Sequence, residues 1–314
     1  MHPGFTYDGH LFDAHTHVVD TDALDLLVSV QKEYGVEKAL LICHSAGAKR
    51  YAEEKYPGRF IFAKYLSGAA RFVDGLKPIL KEISTMREEG YHLAKMQSAP
   101  VMRARVHADP ELLRMDGDEM AQMMDALKDE GLPFLLHLSD PDTYYATKYA
   151  DRQYFTSKER DLDELEGVLL RHPGVKFQIA HFAAQPEIHR LDNLARCLDT
   201  YKNFNIDTSS ARWMVRELGK DPEKASKFIS KYADRINFGS DCVSFHLERE
   251  YYEGRYLSLR LFFESDVRGE PLPFKDADTV NSGGTFINGL SLDQSVLERI
   301  YWRNIHAFFN LEEQ

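Results

Sequence analysis

Two histidines lie one residue apart near the N-terminus, in the segment FDAHTHVVD. His15 and His17 end a short apolar run, which predicts a β-strand. Because residues i and i+2 of a strand point to the same face, both imidazoles could bind one metal ion. The chain contains 13 histidines, so a pair with this spacing also arises by chance and needs support from other residues.

Three further residues of metal-binding types end other apolar runs. His137 ends PFLLH, His181 ends VKFQIAH and Asp241 ends NFGSD. Imidazole nitrogens and carboxylate oxygens are common ligands of Zn²⁺ and similar divalent ions. Taken alone, each of these histidines is more often a hydrogen-bonded core residue than a ligand. The hypothesis of a metal site therefore depends on whether the fold brings these strand ends together.

Eight candidate strands recur along the chain and alternate with segments of helical spacing. The strands are predicted at Leu11 to His17, Lys38 to Cys43, Phe60 to Tyr65, His92 to Met96, Pro133 to Leu138, Val175 to His181, Phe204 to Asp207 and Ile236 to Asp241. Segments such as EMAQMMDALKDEG repeat apolar residues every three or four positions. The alternation predicts an α/β fold of the (β/α)8 TIM-barrel type, with an open doubly wound sheet as the alternative. In such a barrel the carboxyl ends of the strands meet around one mouth, where the five candidate residues would converge.

The length and composition are typical of a single globular domain. The chain has 314 residues, of which 43% are hydrophobic and 28% charged, so it can bury a large core. Residues 1–314 are therefore predicted to form one domain. Residues 243–290 are predicted to be an insertion after strand eight that could act as a lid, with an ordinary extra helix and loop as the alternative.

Charge and hydropathy limit the possible partners. The net charge of −11 argues against a nucleic acid or an anionic membrane, since both favour a basic surface. No apolar run approaches the roughly 20 residues that span a bilayer, and the N-terminal segment lacks the features of a signal peptide. We therefore expect a cytoplasmic protein that binds a small anionic molecule, with no nucleic-acid or membrane partner; a homo-oligomer remains an open alternative.

Several motifs carry a family resemblance. DAHTH on strand one, the histidines that end strands five and six, and GSD on strand eight resemble the amidohydrolase superfamily, as does the closing segment RNIHAFFNL. Within that superfamily, the chain is most similar to the amidohydrolase-2 branch. This branch includes aminocarboxymuconate-semialdehyde decarboxylase, related aromatic-acid decarboxylases and dicarboxylate lactonases. The strand-eight motif continues as GSDCVS, where the branch often has GSDWP, so the resemblance does not identify a substrate.

The resemblance implies a mononuclear metal centre. It assigns one divalent ion to four ligands, His15, His17, His137 and Asp241, and it leaves His181 beside the ion without binding it. Zinc is the first expectation for three imidazoles and a carboxylate, with manganese, iron and cobalt as alternatives. Water on such an ion loses its proton near pH 7. Asp241 could accept this proton, and His181 could orient the water or polarise a substrate carbonyl.

Three basic residues that follow or end predicted strands are candidates to bind an anionic substrate. Arg103 and Arg212 each carry a guanidinium fork that fits a carboxylate, with a solvated surface position as the alternative. Lys95, in HLAKMQS on strand four, has three interpretations. It is a substrate-binding ammonium, a carboxylated lysine that bridges two metals as in some superfamily members, or a solvated lysine.

The expected function is hydrolysis of an ester, lactone or amide in a small carboxylate-bearing substrate, by a metal-activated water. The alternative within the same family is a metal-dependent non-oxidative decarboxylase of an aromatic or unsaturated carboxylic acid, because the ion could instead polarise an oxygen of the substrate. An alternative from another class is a catalytically silent, metal-stabilised binding module, since a fold does not determine a function.

Overall fold

The computed structural model describes residues 4–67, 75–105, 111, 114–151 and 154–311. The strands are β1 (Leu11–Val18), β2 (Val36–Cys43), β3 (Phe60–Leu66), β4 (Leu93–Gln97), β5 (Phe134–His137), β6 (Phe177–Ile179), β7 (Phe204–Asp207), β8 (Ile236–Asn237), β9 (Cys242–Ser244), β10 (Glu270–Pro271) and β11 (Phe286–Ile287). The α-helical segments are α1 (Thr21–Glu33), α2 (Ala46–Lys55), α3 (Lys77–Thr85), α4 (Pro100–Arg105), α5 (Asp118–Asp129), α6 (Asp142–Ala146), α7 (Lys158–Arg171), α8 (Ala180–Ala183), α9 (Leu191–Thr200), α10 (Ala211–Trp213), α11 (Pro222–Lys231), α12 (Arg249–Glu264), α13 (Gln294–Glu298) and α14 (Asn304–Phe309). Single 3-10 or π-helical turns lie at Ile188–Arg190, Met214–Leu218, Ala233–Arg235 and Arg299–Arg303.

The first nine strands follow one another in chain order across one sheet, and β9 lies beside β1. Of the predicted eighth strand, Ile236 to Asp241, only Ile236–Asn237 forms a strand, β8, and β9 begins just after the predicted end, at Cys242. β8 pairs with β7 in parallel at Ile206↔Ile236, and β9 pairs with β1 in parallel at Thr16↔Cys242. A series of parallel strands in chain order that returns to its first strand, with helices between them, belongs to the (β/α)8 TIM-barrel class. The predicted fold class is confirmed, and the order lacks the reversal of a doubly wound sheet.

Apolar residues that become buried and a polar residue that caps a helix explain why β1, β5 and α1 form where they do. Every residue of β1 and β5 is buried, as expected for parallel strands that helices cover. Helix α1 starts after Asp20, whose side chain accepts a hydrogen bond from the Asp22 N–H at 2.9 Å. Its buried face includes Leu24 and Leu27, which recur at helical spacing. Within the described ranges, no helix combines the length and the apolar character needed to cross a membrane.

Two strands are shorter than predicted. The run Val175 to His181 forms only β6, Phe177–Ile179, and the run from Ile236 stops as a strand at Asn237. His181 and Asp241 have φ angles of 58° and 56°, in the left-handed region that is incompatible with an extended strand. His181 therefore lies in the left-handed part of the short segment α8 that follows β6, and Asp241 lies between β8 and β9.

The described residues fall into two compact units. Unit 1 contains the described residues within 1–61, 186–191 and 206–314, and unit 2 contains those within 62–185 and 192–205. Each unit has its own buried aromatic side chains, such as Phe12 and Phe262 in unit 1 and Phe134 and Phe177 in unit 2. A single domain over residues 1–314 stays a prediction.

The insertion predicted at residues 243–290 contains a long buried helix. Most side chains in the C-terminal half of α12 are buried within unit 1. The Tyr256 hydroxyl donates a hydrogen bond to Asp13 Oδ2 at 2.7 Å. After the helix, Asp276 pairs with Arg216 at 2.8 Å. These buried contacts anchor two parts of the insertion, and its action as a lid stays a prediction.

Candidate metal centre

Three candidate ligand atoms converge in unit 1. Nε2 of His15 lies 3.2 Å from Nε2 of His17. Oδ1 of Asp241 lies 3.5 Å from each of these nitrogens. Ligand bonds of about 2.1 Å in tetrahedral geometry separate neighbouring donor atoms by roughly 3.4 Å. The three distances therefore fit donor atoms that share one divalent ion.

The strand pairing around β1 produces this convergence. His15 and His17 are alternate residues of β1, and both are buried. The Asp241 N–H donates to the His15 carbonyl at 2.9 Å, which places the aspartate beside the histidine pair. Gly239 permits this close approach, because a Cβ at that position would lie 2.9 Å from the Cβ of His15.

Two side chains that sequence reasoning missed bind the outer nitrogens of the histidine pair. Oδ2 of Asp207, at the end of β7, lies 2.9 Å from Nδ1 of His15. Nε2 of His44, directly after β2, lies 3.0 Å from Nδ1 of His17. Metal-binding histidines commonly use their second nitrogen in this way, which fixes the ring orientation. The sequence offered one indication of these two residues, namely their position at the carboxyl end of a strand: Asp207 ends β7 and His44 follows β2.

The protonation of His15 supports a metal-binding role. An ionised carboxylate only accepts hydrogen bonds, so the Nδ1 that faces Asp207 carries the proton. Nε2 then presents its lone pair to His17 and Asp241. A lone pair that faces another imidazole nitrogen and a carboxylate oxygen is well matched to a cation between them.

A second buried carboxyl group lies on β1, two residues before His15. Asp13 accepts hydrogen bonds from the His15 N–H at 3.1 Å, the Ser240 N–H at 3.0 Å and the Tyr256 hydroxyl at 2.7 Å. Burial raises the pKa of Asp13 to about 6, although these hydrogen bonds act in the opposite direction. Asp13 connects β1 to the chain around Ser240 and so helps to place Asp241.

His137 and His181 meet in unit 2. Their ring centroids are 4.3 Å apart and the rings are nearly perpendicular, at 82°. His181 Nε2 lies 3.3 Å from His137 Nδ1. The other nitrogen of His137, Nε2, lies 3.0 Å from Oδ1 of Asp140, a third residue that sequence reasoning missed. Burial acts to raise the pKa of Asp140, but the interaction with His137 and the hydrogen bond from the Tyr149 hydroxyl outweigh it, and the pKa is lowered.

Unusual backbone conformations cluster after three consecutive strands. Six of the eight described non-glycine residues with positive φ follow β6, β7 or β8: His181, Phe182, Ala183, Ala184, Ser210 and Asp241. Such conformations cost free energy, of order 1–3 kcal/mol each, and they concentrate at functional sites. The segment after each of these strands is therefore a candidate functional position, as expected for the class of fold.

The three predicted substrate-binding residues have different surroundings. Lys95 is 2% exposed on β4, so the interpretation as a solvated lysine is wrong. Arg212 is partly exposed in the short helix α10 after β7, with its guanidinium 5.7 Å from the Trp213 ring centroid. Its binding of substrate, and that of Lys95, stay predictions.

Arg103 is buried and binds carboxylates of the protein itself. Its guanidinium lies 3.1 Å from Oδ1 of Asp161 and 3.0 Å from Oε2 of Glu164. Its Nε donates to the Ser98 carbonyl at 2.9 Å. The alternative of a solvated surface arginine is wrong. Because the fork is engaged by two internal acids, the geometry favours a structural role over the predicted contact with substrate.

The fold and the converging His/His/Asp group define a metal-dependent enzyme of the α/β-barrel class. The chain belongs to the amidohydrolase family, since the family model described as Amidohydrolase matches residues 12–311. The resemblance seen in the sequence motifs is thereby confirmed. Comparison with curated proteins finds no significant match.

The solved structures that are similar in fold include two 5-carboxyvanillate decarboxylases. One is 5-carboxyvanillate decarboxylase LigW from Sphingomonas paucimobilis, with 11% identity, coverage of 96% of this chain and 99% of that chain, and a TM-score of 0.55. The other is 5-carboxyvanillate decarboxylase from Novosphingobium aromaticivorans, complexed with manganese and 4-hydroxy-3-methoxy-5-nitrobenzoic acid. It has 12% identity, coverage of 97% of each chain and a TM-score of 0.56. At these identities the likeness is one of fold.

Proposed function

We propose that this protein is a mononuclear metal-dependent decarboxylase of a small aromatic or unsaturated carboxylic acid. The observation that carries the metal dependence is the convergence of His15 Nε2, His17 Nε2 and Asp241 Oδ1 within 3.5 Å of one another. The choice of decarboxylation is supported by two similar solved structures, both of which are named as decarboxylases. This was the alternative reaction expected from the sequence.

The proposed ligand set is His15, His17, Asp241 and, from the sequence resemblance, His137. Two or three imidazoles with one carboxylate suit Zn²⁺, Mn²⁺, Fe²⁺ or Co²⁺. Zinc was the first expectation, and manganese is present in one structure of similar fold. When bound, the ion supplies Lewis acidity that polarises an oxygen of the substrate.

The chain's own residues have two tasks in decarboxylation. A cationic or hydrogen-bonding side chain holds the carboxylate-bearing substrate, and partly exposed Arg212 is the candidate. The bond between the carboxylate carbon and its neighbour then breaks, CO₂ leaves, and the electron pair stays on the neighbouring carbon. That carbon takes up one proton, for which His181 is the proposed donor and Asp241 the alternative, both being strained residues after strands.

Hydrolysis of an ester, lactone or amide is the second candidate. The family description, Amidohydrolase, favours it. In this reaction water attacks the carbonyl carbon, the C–O or C–N bond breaks and the leaving group takes up a proton. Asp241 is the proposed acceptor of the water proton, because its carboxylate lies beside the histidine pair and is about one-third exposed.

Metal analysis and a paired product assay test the proposal. We expect close to one divalent ion per chain in protein purified after supplementation with Zn²⁺ or Mn²⁺. The product assay screens two sets of compounds: aromatic and unsaturated acids, and carboxylate-bearing esters, lactones and amides. We expect the enzyme to release CO₂ from a member of the first set. Acid production without CO₂ would replace decarboxylation by hydrolysis. Absence of bound metal after supplementation would overturn both candidates. A metal-loaded protein that acts on neither set of compounds would favour the binding module.

A further inference from the structure

The two ring nitrogens of His137 face different partners in unit 2. Nε2 lies 3.0 Å from the carboxylate of Asp140. Nδ1 lies 3.3 Å from Nε2 of His181. All three side chains are buried, with exposed fractions of 9%, 3% and 2% for His137, Asp140 and His181. Water therefore competes little with these contacts.

Asp140 is itself held from two directions. Its Oδ2 accepts a hydrogen bond from the Tyr149 hydroxyl, while its Oδ1 faces His137. Its backbone carbonyl accepts from the Lys158 ammonium, which also donates to the Ala184 carbonyl. Tyr149 and Lys158 are both buried. The carboxylate therefore cannot turn away from the imidazole without breaking other buried hydrogen bonds.

These contacts determine which nitrogen of His137 carries the proton. An ionised carboxylate has no proton to give, so Nε2 of His137 is the donor to Oδ1 of Asp140. A neutral imidazole has one protonated nitrogen, so Nδ1 keeps the lone pair. His181 Nε2 then donates to this lone pair in the metal-free protein.

We propose that Asp140 is a positioning residue that holds His137 as the Nε2–H tautomer and thereby makes Nδ1 its reactive atom. Nδ1 is then the atom through which His137 binds the divalent ion, a role that rests on the proposed function. The hydrogen bond to Asp140 also raises the basicity of the imidazole, as carboxylates behind metal-binding histidines generally do. Nε2 of His181 contacts this same nitrogen of His137. We therefore place His181 next to a proposed metal ligand and not among the ligands.

The tautomer is tested first in the metal-free protein. Ring ¹⁵N shifts of ¹⁵N-histidine-labelled protein distinguish a protonated nitrogen from one with a lone pair, and His137→Gln assigns the signal. We expect wild-type His137 to be protonated at Nε2 and Asp140→Asn to populate the other tautomer. Protonation at Nδ1 in the wild type would overturn the proposal. This measurement does not depend on metal binding or on activity.

Metal affinity is tested next by titration with Zn²⁺ and Mn²⁺ against a chelating indicator. We expect Asp140→Asn to bind either ion about 10- to 100-fold more weakly, the usual effect of losing such a carboxylate. Asp163→Asn, the same change at an exposed position of α7, is the matched control and should bind as the wild type does. Unchanged affinity in Asp140→Asn would overturn the role of Asp140 in metal binding.

A second variant separates positioning from general stability. Tyr149→Phe removes one hydrogen bond to Asp140 and keeps the ring, so a smaller loss of affinity in the same direction is expected. If Asp140→Asn does not fold, this variant and the wild-type tautomer decide the proposal. Failure of the wild-type protein to bind any divalent ion would refute the proposed function. The ¹⁵N measurement of the His137 tautomer would still decide whether Asp140 positions His137.

Discussion

Nδ1 of His15 lies 2.9 Å from Oδ2 of Asp207, a contact between residues 192 positions apart in the sequence. Both side chains are almost completely buried. Asp207 also accepts hydrogen bonds from the backbone N–H and hydroxyl of Ser209, so its carboxylate is fixed in place. This arrangement leaves Nε2 of His15 as the nitrogen available to a metal ion.

Replacing Asp207 should weaken metal binding without unfolding the protein. Asp207→Asn keeps the size of the side chain but removes its charge and leaves one acceptor oxygen to serve both His15 and Ser209. We therefore expect affinity for Zn²⁺ or Mn²⁺ to fall about 10- to 100-fold. Indicator titration measures the change. Asp199→Asn, at an exposed position of α9, is the control for loss of one negative charge. Equal affinity in both variants would contradict the role of Asp207.

The histidine pair on β1 should be needed for the metal and dispensable for the fold. We expect His15→Ala and His17→Ala to lose bound metal and activity but to keep a native circular-dichroism spectrum, since both residues lie towards the carboxyl end of β1. His10→Ala, at an exposed position before the same strand, should retain metal. Global unfolding of both site variants would instead assign the pair a structural role.

We expect His137 to bind the metal ion and His181 to act beside it without binding it. His137→Ala removes a proposed ligand, so bound metal should fall when measured by elemental analysis. His181→Asn should keep near-normal metal content and lose about 10²- to 10⁴-fold in turnover, the usual effect of removing a positioned acid or base. The opposite pattern, with metal lost only from the His181 variant, would reverse the two roles.

Arg103 should contribute to stability more than to substrate binding. Arg103→Ala removes the guanidinium that pairs with the buried carboxylates of Asp161 and Glu164, although Glu164 keeps its contact with Arg160 at 3.3 Å. The free energy of unfolding should therefore fall by about 3–5 kcal/mol. Urea denaturation measures the loss. Arg105→Ala, at an exposed position of the same helix, should change stability little. A raised KM with unchanged stability would show that Arg103 binds substrate after all.

Replacing Gly239 with alanine, which adds only a methyl group, should disturb the metal site. The Cβ of alanine would lie 2.9 Å from the Cβ of His15, closer than such atoms pack, so His15 or the chain before Asp241 must move. We expect Gly239→Ala to weaken metal binding in the same indicator titration. Gly47→Ala, in helix α2, meets no atom closer than 3.9 Å and should leave metal binding unchanged. Wild-type affinity in Gly239→Ala would refute this packing argument.

The amino-acid sequence alone determined the class of fold and the family. Alternating apolar and helical segments predicted parallel strands, and the motifs around His15 and Asp241 indicated an amidohydrolase, which the family match confirms. These features are readable because strand and helix periodicity are local properties, and because i and i+2 on one strand share a face. The break between β8 and β9 was not readable, since it contains the positive φ of Asp241.

Only the tertiary structure decided which partners these residues have. Asp207, His44 and Asp140 carry no motif, and they gain their roles by contact with histidines that the sequence had already singled out. Arg103 looked equally suited to a substrate carboxylate, yet Asp161 and Glu164 occupy its guanidinium. A buried polar group must find its hydrogen-bond partner among whatever the packing brings near it. The packing that places Asp207 beside His15 acts across 192 positions of sequence, a distance over which no local pattern carries information.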